Sequence, residues 1–149
     1  MGVTDALKGR QVYLDANVFI YAVEGIPPYV GPMRELFGEV DAGSVRAATS
    51  ELTLAEALVR PMADGNTELQ AAYQDVLQTR DGLQLVPVSR SILVEAARLR
   101  AENHALKLPD AIHVATARAS GCEALLTNDR ALTGASGLQV VLCSELLDS

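Results

Sequence analysis

Short apolar runs alternate with helical patterns along this chain of 149 residues, and this alternation is the feature that most limits its fold. Each apolar run is bounded by Gly, Asp or Ser, which is typical of parallel strands buried on both faces. The predicted strands lie at residues 11–14 (QVYL), 44–49 (SVRAAT), 83–88 (LQLVPV), 124–126 (ALL) and 138–142 (LQVVL).

Between these runs, five segments carry apolar residues at the spacing of an amphipathic helix. Their apolar positions are Met33/Leu36/Phe37/Val40, Leu52/Ala55/Leu58/Val59, Leu69/Ala72/Tyr73/Val76/Leu77, Ile92/Ala96/Leu99 and Ile112/Ala115/Ala119. We expect Pro32 to occupy a first helical position and Pro61 to end the second of these helices. Gly25 to Pro28 (GIPP) is predicted to be a loop.

The alternation of strands and helices predicts a parallel sheet covered by helices on both faces. The expected fold is therefore a single-domain α/β/α sandwich with a mainly parallel central sheet of about five strands. We expect one domain over residues 1–149 with its core at about residues 11–142, a length that allows a substantial core. Hydrophobic residues make up 49% of the chain but aromatic ones only 4%, so the core should be mostly aliphatic.

Composition and charge exclude several classes of protein. No apolar run approaches the roughly 18 residues that span a bilayer, and the first residues lack the apolar segment of a secretory signal. Cys122 and Cys143 are too few for a disulfide scaffold, so we expect reduced thiols in a cytoplasmic protein. The net charge of −7 argues against an extended basic groove for nucleic acid, but it allows an acidic pocket in which metal ions contact phosphates.

Four acidic residues lie where the predicted strands end or the predicted helices begin. Asp15 and Asp129 follow strands, and ligands of parallel α/β sheets bind beyond the carboxyl ends of strands. Each acid alone has an ordinary explanation: Asp15 or Asp129 as a helix N-cap, Glu56 in a capping box with Thr53, and Asp110 as a first-turn acid near the helix dipole. Four such acids are more than capping requires, so we expect them to converge at one edge of the sheet.

The segments LDANV, TSELTLAEA, LPDAIHVATA and LLTNDRAL, in this order, resemble the PIN-domain family and most of all its VapC-type toxins of toxin–antitoxin pairs. The resemblance extends from Tyr13 to about Leu142. It implies a small α/β/α ribonuclease that binds Mg²⁺ or Mn²⁺, with an RNA substrate, a cognate antitoxin protein and a homodimeric state. The acidic residues of the family fall on Asp15, Glu56, Asp110 and Asp129. Glu51 competes with Glu56 in the second segment, but Glu56 fits better because it lies inside the helix.

Phosphodiester hydrolysis explains why such a site needs carboxylates. One or two divalent cations, about 3.5–4 Å apart when paired, activate a water and clamp the entering and leaving oxygens. Hard cations prefer oxygen ligands. We expect Asp15 and Asp110 to be the strongest metal ligands, Glu56 and Asp129 to complete the site, and supporting hydrogen bonds to come from Asn17 and Thr127.

Other polar residues near these segments have weaker assignments. His113 lies one helical turn after Asp110, and a structural, hydrogen-bonded histidine is a simpler interpretation than a base or a ligand. Arg130 is a candidate RNA contact, whereas Lys107 and Arg118 have less support.

Two other functions fit parts of the same pattern. A strand followed by Asp-x-Asn, with a late Asn-Asp, also resembles haloacid-dehalogenase-like phosphohydrolases, although Asn17 replaces the second aspartate of their first motif. A non-catalytic module that binds metal or RNA is the other alternative.

Overall fold

A five-stranded sheet forms the centre of the chain in a computed structural model, which describes residues 5–134 and 137–148. All neighbouring strands pair in parallel, in the order β3-β2-β1-β4-β5. The strands are β1 (Gln11–Leu14), β2 (Arg46–Ser50), β3 (Leu83–Val86), β4 (Ala124–Thr127) and β5 (Gln139–Leu142). The five predicted strands are thus confirmed: β1 has the predicted ends, and the ends of the other four differ by at most two residues.

Helices cover both faces of this sheet. They are α1 (Ala16–Glu24), α2 (Val30–Ala42), α3 (Glu51–Ala63), α4 (Thr67–Val76), α5 (Arg90–Glu102) and α6 (Leu108–Ala119), followed by two 3₁₀ helices at Arg130–Leu132 and Cys143–Asp148. Residues of α1 to α4 share one core with Val12 and Leu14 of β1. Tyr13, between them, points to the opposite face and joins a second core with α5 and α6. Because side chains alternate across a strand, β1 contributes to both cores, as an α/β/α sandwich requires.

The predicted apolar stripe of α3 is only partly correct. Leu52 and Leu58 are partly buried and pack against the two cores, but Ala55 and Val59 are exposed. The buried residues of this helix are Thr53, Ala57 and Pro61, and the Thr53 hydroxyl lies 2.7 Å from that of Thr49 on β2. Apolar spacing alone therefore identified only part of the buried face.

The predicted positions of three helix-terminal residues also differ. Ser50, not Thr53, caps α3 through a hydrogen bond from the backbone N–H of Leu52, which removes the capping-box explanation for Glu56. Pro61 lies inside α3 and does not end it, and Pro32 is the third residue of α2. Pro32 lies in the first turn of α2, where a missing N–H is tolerated. Pro61 lacks the N–H that would bond the carbonyl of Ala57, yet α3 continues for two residues beyond it.

The structure also describes the two cysteines and the length of the helices. Both Cys122 and Cys143 are buried free thiols, as expected. Within the described ranges, no helix has the length and hydrophobicity needed to cross a bilayer.

The order of the strands sets up the candidate site. Since β1 and β4 are neighbours, the residues that follow them emerge side by side at the carboxyl edge of the sheet. The backbone N–H of Asp15 donates to the carbonyl of Leu126 on β4 at 3.0 Å, which continues the pairing past the end of β1.

Candidate metal and catalytic site

Asp15 is a buried carboxylate held by two hydrogen bonds. It follows β1 directly and is the N-cap of α1, with Oδ1 accepting from the backbone N–H of Ala16 at 2.8 Å. Oδ2 accepts from the hydroxyl of Thr127 at 2.6 Å. Only 8% of Asp15 is exposed, so this carboxylate has a fixed position at the sheet edge.

Thr127, the last residue of β4, connects two of the acids. Its buried hydroxyl donates to Asp15 and accepts from the backbone N–H of Asp129 at 3.0 Å. The Asp129 carboxylate caps the following 3₁₀ helix by accepting from the backbone N–H of Ala131 at 2.9 Å. The predicted hydrogen bond of Thr127 to the acidic residues is present, and both Asp15 and Asp129 have the capping contacts that were their alternative explanation.

Glu56 reaches the same place from α3 through a histidine. Its Oε1 lies 2.5 Å from Nε2 of His113, a residue of α6 that is 1% exposed. The same Nε2 lies 3.7 Å from Oδ1 of Asp15. One potential ligand atom from each of these three side chains lies within 4.8 Å of the others, a spacing compatible with a shared metal ion.

Asp110 and Asp129 lie beside this group. Together with Glu56 and Lys107 they line a cavity of about 360 Å³, hereafter the acidic cavity. Asp110 is in the first turn of α6, as predicted, where the helix dipole favours a carboxylate. The residues Asp15, Glu56, Asp110 and Asp129, hereafter the acidic site, are therefore contributed by two strand ends and two helices.

The acids of this site repel one another. Burial raises the pKa of Asp110 above its ordinary value, and the charges of Asp129 and Asp15 raise it further, against smaller opposing effects of His113 and of the backbone N–H of Lys107. Burial alone would lower the pKa of His113, but the hydrogen bond with Glu56 and the charges of the surrounding carboxylates outweigh burial and raise it. Burial and the neighbouring carboxylates thus raise the pKa of one acid of the site, that of Asp110.

The donor set fits a divalent cation. It consists of carboxylate oxygens from several helices and strand ends, together with one imidazole nitrogen. A bound cation would also relieve the repulsion between Asp110 and the neighbouring carboxylates. Carboxylate oxygens suit Mg²⁺ and Mn²⁺, and an adjacent imidazole is acceptable to Mn²⁺ more than to Mg²⁺. The two cysteines are absent from this group of ligand atoms, so within the described chain the site does not resemble a structural zinc site.

The remaining predicted residues are placed differently. Asn17 lies in α1, and its Oδ1 is buried without a hydrogen-bond partner in the described chain, so its supporting role stays a prediction. Arg130 is exposed and directly follows Asp129. Lys107 lines the acidic cavity, whereas Arg118 pairs with Glu95 of α5 at 3.8 Å.

Sequence reasoning underestimated His113 and did not identify Tyr13. The ring of His113 touches Glu56 on one side and the hydroxyl of Tyr13 on the other, with 2.5 Å between that hydroxyl and Nδ1. The sequence contained one indication that His113 belongs to the site. It lies three residues after Asp110, a spacing that places both side chains on the same side of α6.

Comparisons with known proteins give a family and similar folds. A family model described as PIN domain matches residues 12–138. The fold is similar to VapBC2 from Rickettsia felis bound to a promoter DNA fragment (TM-score 0.68, 18% identity, covering 89% of this chain and 98% of that one). It is also similar to a toxin–antitoxin complex from Klebsiella pneumoniae (TM-score 0.64, 26% identity, covering 89% of this chain and 97% of that one). A third similar fold is that of the sarcin–ricin loop cleaving toxin VapC20 from Mycobacterium tuberculosis (TM-score 0.71, 14% identity, covering 87% of this chain and 98% of that one). A search of curated proteins found no match.

Proposed function

Because this chain belongs to the PIN domain family, we propose that it is a metal-dependent endoribonuclease, the toxin of a toxin–antitoxin pair. The observation that carries the proposal is the convergence of the acidic site. Glu56, Asp110 and Asp129 line one cavity, and Asp15 lies close enough to Glu56 and His113 for the three to share a cation. The fold alone would not support a nuclease, because function depends on the residues of the site.

The acidic site would hold Mg²⁺ or Mn²⁺ through the carboxylates of Asp15, Glu56, Asp110 and Asp129. A bound divalent cation supplies activation of water and stabilisation of negative charge on the phosphate. The protein contributes the positions of the ligands: Thr127 and the N-terminus of α1 orient Asp15, and Asp129 follows the end of β4, where its backbone N–H donates to Thr127. Lys107, on the wall of the acidic cavity, supplies positive charge for an RNA phosphate, and exposed Arg130 is a second candidate for that contact.

The sequence around Asp15 argues against a covalent phosphohydrolase. The first motif of haloacid-dehalogenase-like enzymes has a second aspartate two residues after the first, and position 17 is Asn in this chain. The hydrogen bonds from Ala16 and Thr127 hold the Asp15 carboxylate in place and leave a lone pair on each oxygen for a cation.

The proposed partners are an RNA substrate, a cognate antitoxin protein and a second copy of the chain, all in the cytoplasm. Support for the antitoxin comes from solved relatives in fold, two of which are toxin–antitoxin complexes with an antitoxin present. The net charge of −7 is compatible with a partner that brings basic side chains.

The decisive experiment compares wild type with Asp15→Asn and with Asp75→Asn, a control that removes an exposed carboxylate of α4. We expect wild type and Asp75→Asn to cleave structured RNA in Mn²⁺ but not in EDTA, and Asp15→Asn to lose at least about 100-fold in rate, a loss typical of removing transition-state charge stabilisation. Expression in cells should arrest growth for the same two proteins only.

Three results would contradict the proposal. Equal cleavage by wild type and Asp15→Asn would show that the acidic site takes no part in RNA cleavage. Hydrolysis of a small phosphomonoester without RNA cleavage would favour a phosphohydrolase. RNA binding without any cleavage in Mn²⁺ would favour a non-catalytic module.

A further inference from the structure

We propose that His113 is a positioning residue that holds the Glu56 carboxylate in the acidic site, and that Tyr13 fixes the orientation of the His113 ring. This inference rests on the proposed function, because it concerns the same metal site. It replaces the interpretation of His113 as a histidine with only a structural role.

The His113 ring is fixed at both nitrogens. Nδ1 lies 2.5 Å from the Tyr13 hydroxyl, and Nε2 lies 2.5 Å from Oε1 of Glu56. The residue is 1% exposed, and its ring meets the Tyr13 ring edge-on at 5.7 Å between centroids. A ring flip would exchange both hydrogen bonds for contacts with carbon atoms, so burial and bonding select one orientation.

Tyr13 is the partner of the other ring nitrogen. Its hydroxyl oxygen accepts from the backbone N–H of Ser50 at 3.1 Å and lies 2.5 Å from Nδ1 of His113, so it is fixed between α3 and α6. Because a carboxylate only accepts hydrogen bonds, the contact between Nε2 and Glu56 places a proton on Nε2, facing Glu56.

Glu56 depends on its hydrogen bond with His113 more than Asp15 depends on any one of its own partners. Asp15 is held by Ala16 and Thr127. In contrast, the Glu56 side chain is 35% exposed, and across residues 5–134 and 137–148 its hydrogen bond with His113 is the only one that it makes. A glutamate loses rotamer entropy when it is fixed, and without a partner it would turn towards solvent. The N–H of His113 therefore keeps this carboxylate directed at the cation site, as partners of metal-binding groups commonly do.

The first measurement is the protonation of the imidazole nitrogens by long-range ¹H–¹⁵N spectroscopy. The chain has two histidines, and the signals of exposed His104 are identified because they are missing from the spectrum of His104→Gln. We expect Nε2 of His113 to carry a proton in the metal-free protein and to keep it in Mg²⁺. An Nε2 without a proton, or one that loses its proton when Mg²⁺ binds, would overturn the proposal, and the second outcome would make His113 a ligand itself.

The second measurement is Mn²⁺ affinity, by calorimetry or electron paramagnetic resonance, well below the melting temperature. We expect His113→Gln to weaken Mn²⁺ binding about 10–100-fold and Tyr13→Phe to weaken it by less, with His104→Gln unchanged. Tyr13→Phe keeps the ring and tests the idea even if His113→Gln does not fold. Unchanged affinity in the folded variants would refute a positioning role.

The two proposals fail separately. If wild type cuts no RNA but the imidazole spectra and the Mn²⁺ affinities behave as expected, the proposed function is wrong and the positioning role stands. If wild type is an active nuclease and the variants bind Mn²⁺ normally, the positioning role is wrong and the proposed function stands.

Discussion

Replacing Thr127 by valine tests whether one hydroxyl organises the acidic site. Valine has nearly the same shape as threonine, so it removes the hydrogen bonds while largely preserving the packing of β4. The buried hydroxyl donates to Asp15 at 2.6 Å and accepts from the backbone N–H of Asp129 at 3.0 Å. Thr127→Val therefore removes one donor from a buried carboxylate and one acceptor from a backbone amide.

The size of the effect follows from these two contacts. A hydrogen bond to a charged group contributes about 1.5–3 kcal/mol, and an amide left without an acceptor costs about 1 kcal/mol or more. The added methyl of valine offsets part of this, by about 0.8 kcal/mol at most. We expect Thr127→Val to lower the free energy of unfolding by about 3 kcal/mol, which corresponds to about 6–12 °C in melting temperature for a domain of this size.

Thermal unfolding followed by circular dichroism in EDTA measures this loss without interference from cations. Thr127→Ser keeps the hydroxyl and should recover most of the stability, short of about 1 kcal/mol for its missing methyl. Thr133→Val is the matched control, because Thr133 is exposed and its hydroxyl donates to the Arg130 carbonyl. If Thr127→Val melts within 1–2 °C of wild type, an interval of about 0.5 kcal/mol, the hydroxyl does not hold Asp15 and the reasoning is refuted.

Four further predictions concern Asp110, the two cysteines and two glycines. Mn²⁺ at about 100 times its dissociation constant should stabilise wild type by about 2.7 kcal/mol, and Asp110→Asn should reduce this gain in the same melting assay. In EDTA the relative stability of wild type and Asp110→Asn should change with pH. Burial and the neighbouring carboxylates raise the pKa of Asp110, so wild type loses stability as pH rises through that raised pKa. Melting curves between about pH 4 and 8 should show this loss for wild type but not for Asp110→Asn. Burial raises the pKa of Cys122 to about 11 and that of Cys143 to about 12, so a thiol reagent at pH 8 should react slowly with the folded protein and titrate both thiols in denaturant. Gly82→Ala should destabilise more than Gly43→Ala in urea titrations, because both glycines have positive φ (89° and 86°) but only at Gly82 would a Cβ approach a backbone oxygen of α2, at 2.5 Å.

The strands and the layers of the fold were predictable because each depends on local pattern. Parallel strands buried on both faces are short apolar runs with clear boundaries, and all five were found with small shifts at their ends. Helix α1 was not among the five predicted stripes. Its buried residues Val18, Phe19 and Ala22 have the spacing of one helix face, so the sequence contained this periodicity as well as the N-cap Asp15.

The resemblance to the PIN-domain family is confirmed by the family match, and the solved structures have a similar fold. That resemblance succeeded because the acids lie in short segments whose order along the chain is fixed by the topology of the sheet. In contrast, the buried face of α3 was predicted only in part. Thr53 is buried with its hydroxyl beside that of Thr49 on β2, and hydrophobic spacing contains no information about such a polar contact.

The contact between His113 and Glu56 shows the same limit at the site itself. The two residues are 57 positions apart in the chain, on different helices, and no motif of either segment requires that they meet. What brings them together is the packing of α6 against the sheet on the side that Tyr13 faces, with α3 beginning at the carboxyl end of β2. A sequence pattern can therefore identify which carboxylates a cation needs, because their chemistry restricts them to Asp and Glu. The residues that orient those carboxylates can be of many types, and only the packed structure distinguishes them from ordinary core residues.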